Sequence, residues 1–265
     1  MSHPPMKAKA MIFAAGLGTR LRPLTDDCPK ALVDINGRTL LEITLSRLRS
    51  FGVTEVVINV HHFADRIMEY LRTNENFGMR IDVSREDVLL DTGGGLKKAA
   101  YFLLGNSGAN SPLSPGELSN HDEAFIVHNV DVLSNIDLGR MLQFHCETQA
   151  LATLAVQNRP TSRYLLFDNY LRLCGRKTGN GQPELLDQRQ PEHTLAFSGI
   201  HIVSPRLLDM LTEEGAFSIT TAYLRLAAQR EKIQAFRADG YYWRDLGTPE
   251  NLAQAAEDMQ RTLQQ

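Results

Sequence analysis

The chain has 265 residues, 43% of them hydrophobic and 22% charged, and a formal net charge of −3. That length and balance describe a globular chain with room for a substantial core and argue against disorder. Basic and acidic residues are interspersed, so nothing favours nucleic acid or a membrane surface, and apolar runs such as AMIFAAG are too short to cross a bilayer.

The first element is KAMIFAAG (Lys9–Gly16), a continuous apolar run closed by glycine, as in a strand buried on both faces. Thr39–Gly52 places Leu41, Leu45 and Leu48 at helical spacing and stops at glycine. Strands are expected at Val53–Val60, Met79–Glu86 and Glu123–Leu133, and helices at His62–Asn74 and Gly94–Gly105. Alternating strands and helices imply parallel strands with right-handed crossovers. Residues 105–120, rich in Gly, Ser, Pro and Asn, read as a flexible surface insertion.

Beyond Asp131 the pattern changes. Strands are expected at Ala150–Asn158, Arg163–Asp168, Tyr170–Gly175 and Leu195–Ser204, with few helices between them. Helices return at Ser204–Glu214 and Thr221–Lys232. The expectation is one α/β domain over 9–252, a three-layer α/β/α sandwich with a mostly parallel, Rossmann-like sheet. Its first half, about 9–135, would bind nucleotide, and its second, about 136–252, would bind a second substrate. The start, MSHPPMKAKAMIFAAG, lacks the shape of a signal peptide. Three widely spaced cysteines, Cys28, Cys146 and Cys174, suit reduced thiols in a cytoplasm.

The densest chemistry lies in FAAGLGTRLRPLTDDCPKAL (Phe13–Leu32). Gly16 and Gly18 allow a backbone to turn its N–H groups into one concavity, Thr19 adds a hydroxyl, and Arg20 a fork of donors. Such a loop suits phosphate; it equally suits a tight turn with a solvated arginine. A third glycine, which a dinucleotide fingerprint needs, is missing, and no GK[ST] follows. Two aspartates stand at the ends of apolar runs: Asp131 in FIVHNVDVL and Asp245 in YYWRDLGTPENL. Hard carboxylate oxygens suit a divalent cation, although each aspartate also reads as a helix N-cap.

The string from Ala14 to Lys30 resembles the signature A-A-G-x-G-T-R-L-x-P-L-T followed by P-K, which marks the sugar-1-phosphate nucleotidyltransferases. The resemblance extends over most of the chain, through DTGGG, FSGI and WRDLGT, and is greatest to a compact bacterial branch. That branch contains N-acetylmuramate-1-phosphate uridylyltransferase and enzymes like mannose-1-phosphate guanylyltransferase. It implies Mg2+-dependent transfer of a nucleotidyl group from a nucleoside triphosphate to a sugar 1-phosphate, with release of pyrophosphate. The product would be a nucleotide sugar, as used for cell-envelope polysaccharide.

The resemblance also assigns roles. Ala14 and Gly16 would line the base, Gly18, Thr19 and Arg20 would hold the triphosphate, and Lys30 would reach the phosphates. Asp131 and Asp245 would hold Mg2+. The family's usual glycine before the first aspartate is Val130 here, which suggests a strand running one residue further. In LDTGGGLKKA, Gly93 and Gly94 would lie against the base and Thr92 would read its edge. On the sugar side the family's Glu-Lys-Pro segment is absent from LCGRKTGNGQPE, leaving Arg176 or Lys177 as substitutes. Asn158, Ser198, Gly199 and Trp243 would lie near the sugar, though each also reads as strand core or turn. The protein would act as a monomer or homodimer. The rival readings are a catalytically silent subunit that binds nucleotide sugars, from which a missing charged residue would be expected, and a dinucleotide-dependent oxidoreductase.

Overall fold

The computed structural model describes residues 8–105 and 124–263. In chain order the elements begin β1 (Ala10–Phe13), β2 (Asp34–Ile35), β3 (Arg38–Thr39), α1 (Leu40–Ser50), β4 (Glu55–Val60), α2 (Ala64–Thr73) and β5 (Arg80–Arg85). They continue through α3 (Asp91–Lys98), α4 (Ala100–Leu103), β6 (Phe125–Asn129), β7 (Val132–Ser134), α5 (Leu138–Thr148), β8 (Ala152–Gln157), β9 (Arg163–Phe167) and β10 (Leu173–Thr178). The remainder is β11 (Glu184–Leu185), β12 (His193–Val203), α6 (Arg206–Asp209), α7 (Ile219–Ala228), β13 (Ile233–Arg237), β14 (Trp243–Asp245) and α8 (Pro249–Leu263). The fold class is the expected α/β type, a mixed sheet with mostly parallel core strands and flanking helices. Apart from Gly105, the insertion expected at 105–120 lies outside the described residues.

The described residues form two compact units. One contains 8–89, 128–136 and 241–263; the other contains 90–105, 124–127 and 137–240. They are interleaved along the chain, whereas the sequence suggests consecutive halves.

In the first unit β1 pairs parallel with β4, and β4 with β5. The reason is local. The residues of β1 and most of β4 are buried apolar side chains, as a strand covered on both faces requires. The crossover α1 starts with an N-cap: Thr39 accepts the Glu42 N–H through its side chain. Leu40, Leu41, Thr44, Leu45 and Leu48 then form its buried stripe. At about 0.8 kcal/mol per buried CH2, four leucines make this face the helix's main source of stability. Two ribbons complete the unit, β2 with β3 and β7 with β14, both antiparallel.

In the second unit β8 pairs parallel with β13 and antiparallel with β12, which continues antiparallel to β9, followed by β10 and β11. The helix α5, whose cap the sequence also offered as Asp131, is capped by the Asp137 carboxylate on the Arg140 N–H and buries Leu138, Met141 and His145. The helix expected at Ser204–Glu214 shrinks to the single turn α6.

Two local expectations are corrected. The strand at Glu123–Leu133 is two strands, since β6 ends at Asn129 and Val130 and Asp131 form a turn. Val130 therefore does not extend the strand. Its N–H bonds to the Phe13 carbonyl, its side chain is buried, and the chain turns away into β7. Likewise the glycines of DTGGG lie inside α3, and that helix ends at Lys98, before the separate turn α4.

Candidate functional site in the first unit

β1 ends at Phe13 and its chain continues into the glycine loop. Ala14 and Ala15 are buried, while Gly16, Thr19 and Arg20 are exposed. Gly18 has φ of +66°, a left-handed conformation that glycine adopts at little cost. A Cβ at Gly18 would also lie 2.9 Å from Thr25 Cγ2 and 3.1 Å from Lys30 Cβ. Thr25 Oγ1 donates to the Gly18 carbonyl at 2.9 Å, and the Leu21 N–H to the same oxygen at 2.8 Å. The loop is thereby tied to the segment carrying Lys30. Gly16 differs: its φ is not positive, and a Cβ there would meet nothing within 4 Å. Nothing within the described protein demands glycine at position 16.

The aspartates come from the β7–β14 ribbon. Trp243 pairs with Ser134, Arg244 with Leu133 and Asp245 with Val132. The Leu246 N–H then donates to the Asp131 carbonyl at 2.8 Å, adding one bond beyond the ladder. Residues far apart in sequence thus have adjoining backbones at one end of a single ribbon. Each carboxylate faces a cation. Lys30 Nζ donates to Asp131 Oδ2, both side chains being largely buried. Arg20 lies 3.7 Å from Asp245 Oδ1 on a more exposed edge. Arg20, Lys30, Asp131 and Asp245, predicted as a set, are therefore brought together.

Neither aspartate is a helix cap. α5 is capped by Asp137, and α8 is preceded by Thr248, whose Oγ1 accepts the Asn251 N–H at 3.3 Å. Asp245 instead accepts the Gly247 N–H at 2.9 Å. Two carboxylates at one ribbon end are the donor set that Mg2+ favours, since that ion keeps several waters and completes its shell with phosphate oxygens. Among the described residues no cluster of three or more His, Cys, Asp or Glu could hold a metal through protein ligands alone.

Sequence reasoning missed three features of this site. The first is Gly247. A Cβ there would lie 2.3 Å from an Arg20 guanidinium nitrogen and 2.7 Å from Asp245 Oδ1, so the glycine makes room for both. Its signal was present in WRDLGT, two residues after the aspartate. The second is the anchor behind β14. Asp258 of α8 accepts from Tyr242 Oη at 2.7 Å and from the Arg244 guanidinium at 2.9 Å, which holds its carboxyl below the usual range. Asn135 closes the other end, accepting the Tyr242 N–H at 2.7 Å. The third is the buried pair behind Ala14, Asn59 and Glu86.

His128, three residues before Asp131, is fully buried, and its Nε2 has no hydrogen-bond partner among the described residues. Burial, aided by the Arg47 guanidinium, lowers its pKa to about 4. It is neutral near pH 7 and supplies no charge to the site. Trp243 is half-buried two residues before Asp245, which puts both on one face of β14 by strand alternation.

The remaining predicted residues belong to the second unit. Gly93 and Gly94 lie in α3, where a Cβ on Gly93 would come within 2.2 Å of the Phe217 ring and one on Gly94 within 2.5 Å of the Gly215 carbonyl. Their N–H groups donate to the Phe217 carbonyl at 2.8 and 3.3 Å. Thr92 Oγ1 accepts the Ile219 N–H at 3.0 Å, at the start of α7. These three residues thus have packing and capping duties in the fold. Ser198 is fully buried, and Gly199, with φ of +71°, stands where the β12–β8 register shifts between Phe197 and His201. Asn158 is exposed, its N–H held by Asp239 Oδ1. Arg176 pairs with Glu184 at 2.7 Å on the surface.

Comparison with known proteins gives the same direction. A model of the nucleotidyl transferase family matches residues 9–167. The N-acetylmuramate alpha-1-phosphate uridylyltransferase of Caulobacter vibrioides is 34% identical over 91% of this chain and 92% of its own. A mannose-1-phosphate guanyltransferase of Yarrowia lipolytica is 28% identical over 92% of this chain, which spans 62% of that protein. The crystal structure of UDP-glucose pyrophosphorylase complexed with UDP-glucose shares the fold, with a TM-score of 0.73 at 19% identity over 97% of this chain and all of that one. With the loop signature and the paired carboxylates already seen, these matches establish that the chain belongs to the nucleotidyl transferase family of enzymes.

Proposed function

We propose that this protein transfers a nucleotidyl group from a nucleoside triphosphate to a sugar 1-phosphate, with Mg2+ held by Asp131 and Asp245. The observation that carries the reading is the β7–β14 ribbon, whose end holds both carboxylates beside the two loop cations, Arg20 and Lys30. In the reaction an oxygen of the sugar 1-phosphate attacks the α-phosphorus. A new phosphorus–oxygen bond forms, the bond to the β-phosphate oxygen breaks, and pyrophosphate carries away the electron pair. No side-chain nucleophile is needed, so positioning and charge stabilisation account for the rate.

Two anionic substrates repel, and fixed cations offset that repulsion without reacting. Arg20, on the exposed edge, would hold the triphosphate and the departing pyrophosphate. Lys30, tied to Asp131, would orient the incoming phosphate. The bound Mg2+ would neutralise charge on the α-phosphate. Gly16 leaves room for the base, since no part of the described protein occupies the space a Cβ there would take. Gly93, Gly94, Asn158, Ser198, Gly199 and Trp243 remain proposed contacts to base and sugar. Retention of Arg20, Lys30, Asp131 and Asp245 disfavours a silent subunit.

The similarity to a uridylyltransferase over nearly the whole chain makes UTP the expected donor, with an N-acetylated sugar 1-phosphate as acceptor. The test is pyrophosphate release from UTP, GTP, CTP and dTTP against N-acetylmuramate, glucose and mannose 1-phosphates. Release above background with one pair supports the reading, and silence across the panel overturns it. No described helix is long and apolar enough to cross a membrane; we propose a cytoplasmic monomer or homodimer making precursors for cell-envelope polysaccharide.

A further inference from the structure

Behind the nucleotide loop lies a polar group that the reaction does not use directly. Asn59 is the last residue of β4 to pair with β1, opposite Phe13, and it pairs with Ser84 on β5. By strand alternation Ser84 and Glu86 share a face of the sheet. All three side chains are more than nine-tenths buried. Asn59 Oδ1 accepts the Ala14 N–H at 2.8 Å, and Asn59 Nδ2 donates to Glu86 Oε1 at 2.8 Å. The Glu86 carbonyl in turn bonds His61 Nδ1 at 2.8 Å, and the Glu86 N–H donates to the Val60 carbonyl at 2.8 Å.

The direction of this relay is fixed by chemistry. An amide has one acceptor oxygen and one donor nitrogen. A carboxylate can only accept, so Glu86 selects the nitrogen of Asn59 and leaves the oxygen for Ala14. Ala14 is the first residue past β1, where the ladder bonds stop and the loop begins. Its N–H would otherwise be a buried donor without a partner, which costs more than an ordinary hydrogen bond contributes.

We propose that Asn59 and Glu86 are positioning residues for nucleoside triphosphate binding. Glu86 orients the Asn59 amide, Asn59 holds the Ala14 N–H, and the exit angle of the glycine loop from β1 is thereby set. The proposal rests on the loop's assignment as the triphosphate site. The relay meets the substrate side of the unit at Ala14 of the loop, so it acts on the affinity for the triphosphate and leaves the sugar 1-phosphate alone.

The experiment measures triphosphate affinity by titration calorimetry, the Michaelis constants for both substrates, and hydrogen exchange at the Ala14 amide. Its variants are Asn59→Ala, Glu86→Ala, Glu86→Gln and Ser84→Ala. Asn59→Ala is expected to weaken triphosphate binding roughly tenfold or more, the loss that an orphaned buried donor brings. It should also speed exchange at Ala14 and leave the Michaelis constant for the sugar 1-phosphate unchanged. Glu86→Ala should follow in the same direction, and it carries the test should Asn59→Ala not fold. Glu86→Gln keeps an acceptor oxygen and should restore near-normal binding. Ser84→Ala, on the same face but without a hydrogen bond among the described residues, should change nothing.

Equal rises in both Michaelis constants, or unchanged Ala14 exchange in Asn59→Ala, would overturn the relay. So would a loss in Glu86→Gln as deep as in Glu86→Ala, since the charge itself would then matter. If the unmodified protein binds no triphosphate, the functional reading fails first and the relay's role fails with it. Normal binding by the unmodified protein and by every variant removes the relay alone.

Discussion

Two glycine-rich strings look alike in the sequence, AAGLGTR in the first unit and DTGGG in the second, and the structure gives their glycines opposite reasons to exist. Gly93 and Gly94 are buried where α3 lies against Phe217 and the Gly215 carbonyl, with no room for a methyl group. Gly16 is exposed and has an ordinary φ, and a Cβ there would meet nothing of the described protein within 4 Å. A glycine that packing demands explains itself; one that packing does not demand leaves room for something outside the chain. The first unit also holds the paired charges, Arg20 with Asp245 and Lys30 with Asp131. The proposed chemistry accordingly draws on residues of the first unit.

The largest effect should come from the ribbon. Asp131→Asn and Asp245→Asn keep side-chain shape but lose the charge that would hold a divalent cation. Each should lower turnover on the order of a thousandfold or more. Circular dichroism should report an unchanged fold. Normal pyrophosphate release by either variant would remove that residue from the metal site.

Arg20→Ala comes next. Its guanidinium is mostly exposed, and its contact with Asp245 is a long surface pair, which contributes little to stability. Loss of a preorganised cation should raise the barrier by about 2–4 kcal/mol. A fallen melting temperature with full activity in the surviving protein would make Arg20 structural instead.

The glycines sharpen the contrast directly. Gly93→Ala forces a methyl into the Phe217 ring and should cost about 1–3 kcal/mol of stability, read by urea unfolding. Gly16→Ala should leave the unfolding midpoint within experimental error while raising the Michaelis constant for the triphosphate. Reversal of those two outcomes would break the comparison.

The smallest effect near neutral pH concerns one histidine in each unit. Burial holds both His128 and His145 at about 4, below the ordinary value of 6.5. The unfolded chain therefore takes up protons in a window where the native protein does not. The stabilising contribution is complete above about pH 6.5 and is lost as pH falls towards 4. For each histidine the full loss is on the order of 3 kcal/mol, and only a fraction of it is felt at pH 6. Unfolding measured from pH 7.5 to 4.5 checks this, and His145→Asn should flatten the slope.

What the sequence made legible was what repeats locally. Buried strands read as apolar runs, as at Ala10–Phe13. The leucine stripe and the closing glycine announced α1. The loop signature named the cations, and the family motifs around Asp131 and Asp245 named the aspartates. The partnership of Asp131 with Asp245 came from the resemblance and not from local pattern, because β14 returns to β7 from the far end of the chain. The break at Val130–Asp131 was hidden because V-D-V-L continues the apolar rhythm of the strand before it. The cap of α5 was hidden because Asp131 and Asp137 both precede its apolar stripe, one residue of which is His145, bonded to Thr153 Oγ1 at 2.9 Å. Asn59 and Glu86 act through contacts far apart in sequence, and single-chain periodicity carries no trace of them.

The central claim is that the β7–β14 ribbon holds a divalent cation together with a triphosphate. The most direct test is a titration of Mn2+ followed by electron paramagnetic resonance, with a non-hydrolysable UTP analogue, on the unmodified protein and on Asp131→Asn and Asp245→Asn. The account predicts a bound-ion signal that requires the analogue and is lost in each variant. Undiminished Mn2+ binding in both variants would contradict it.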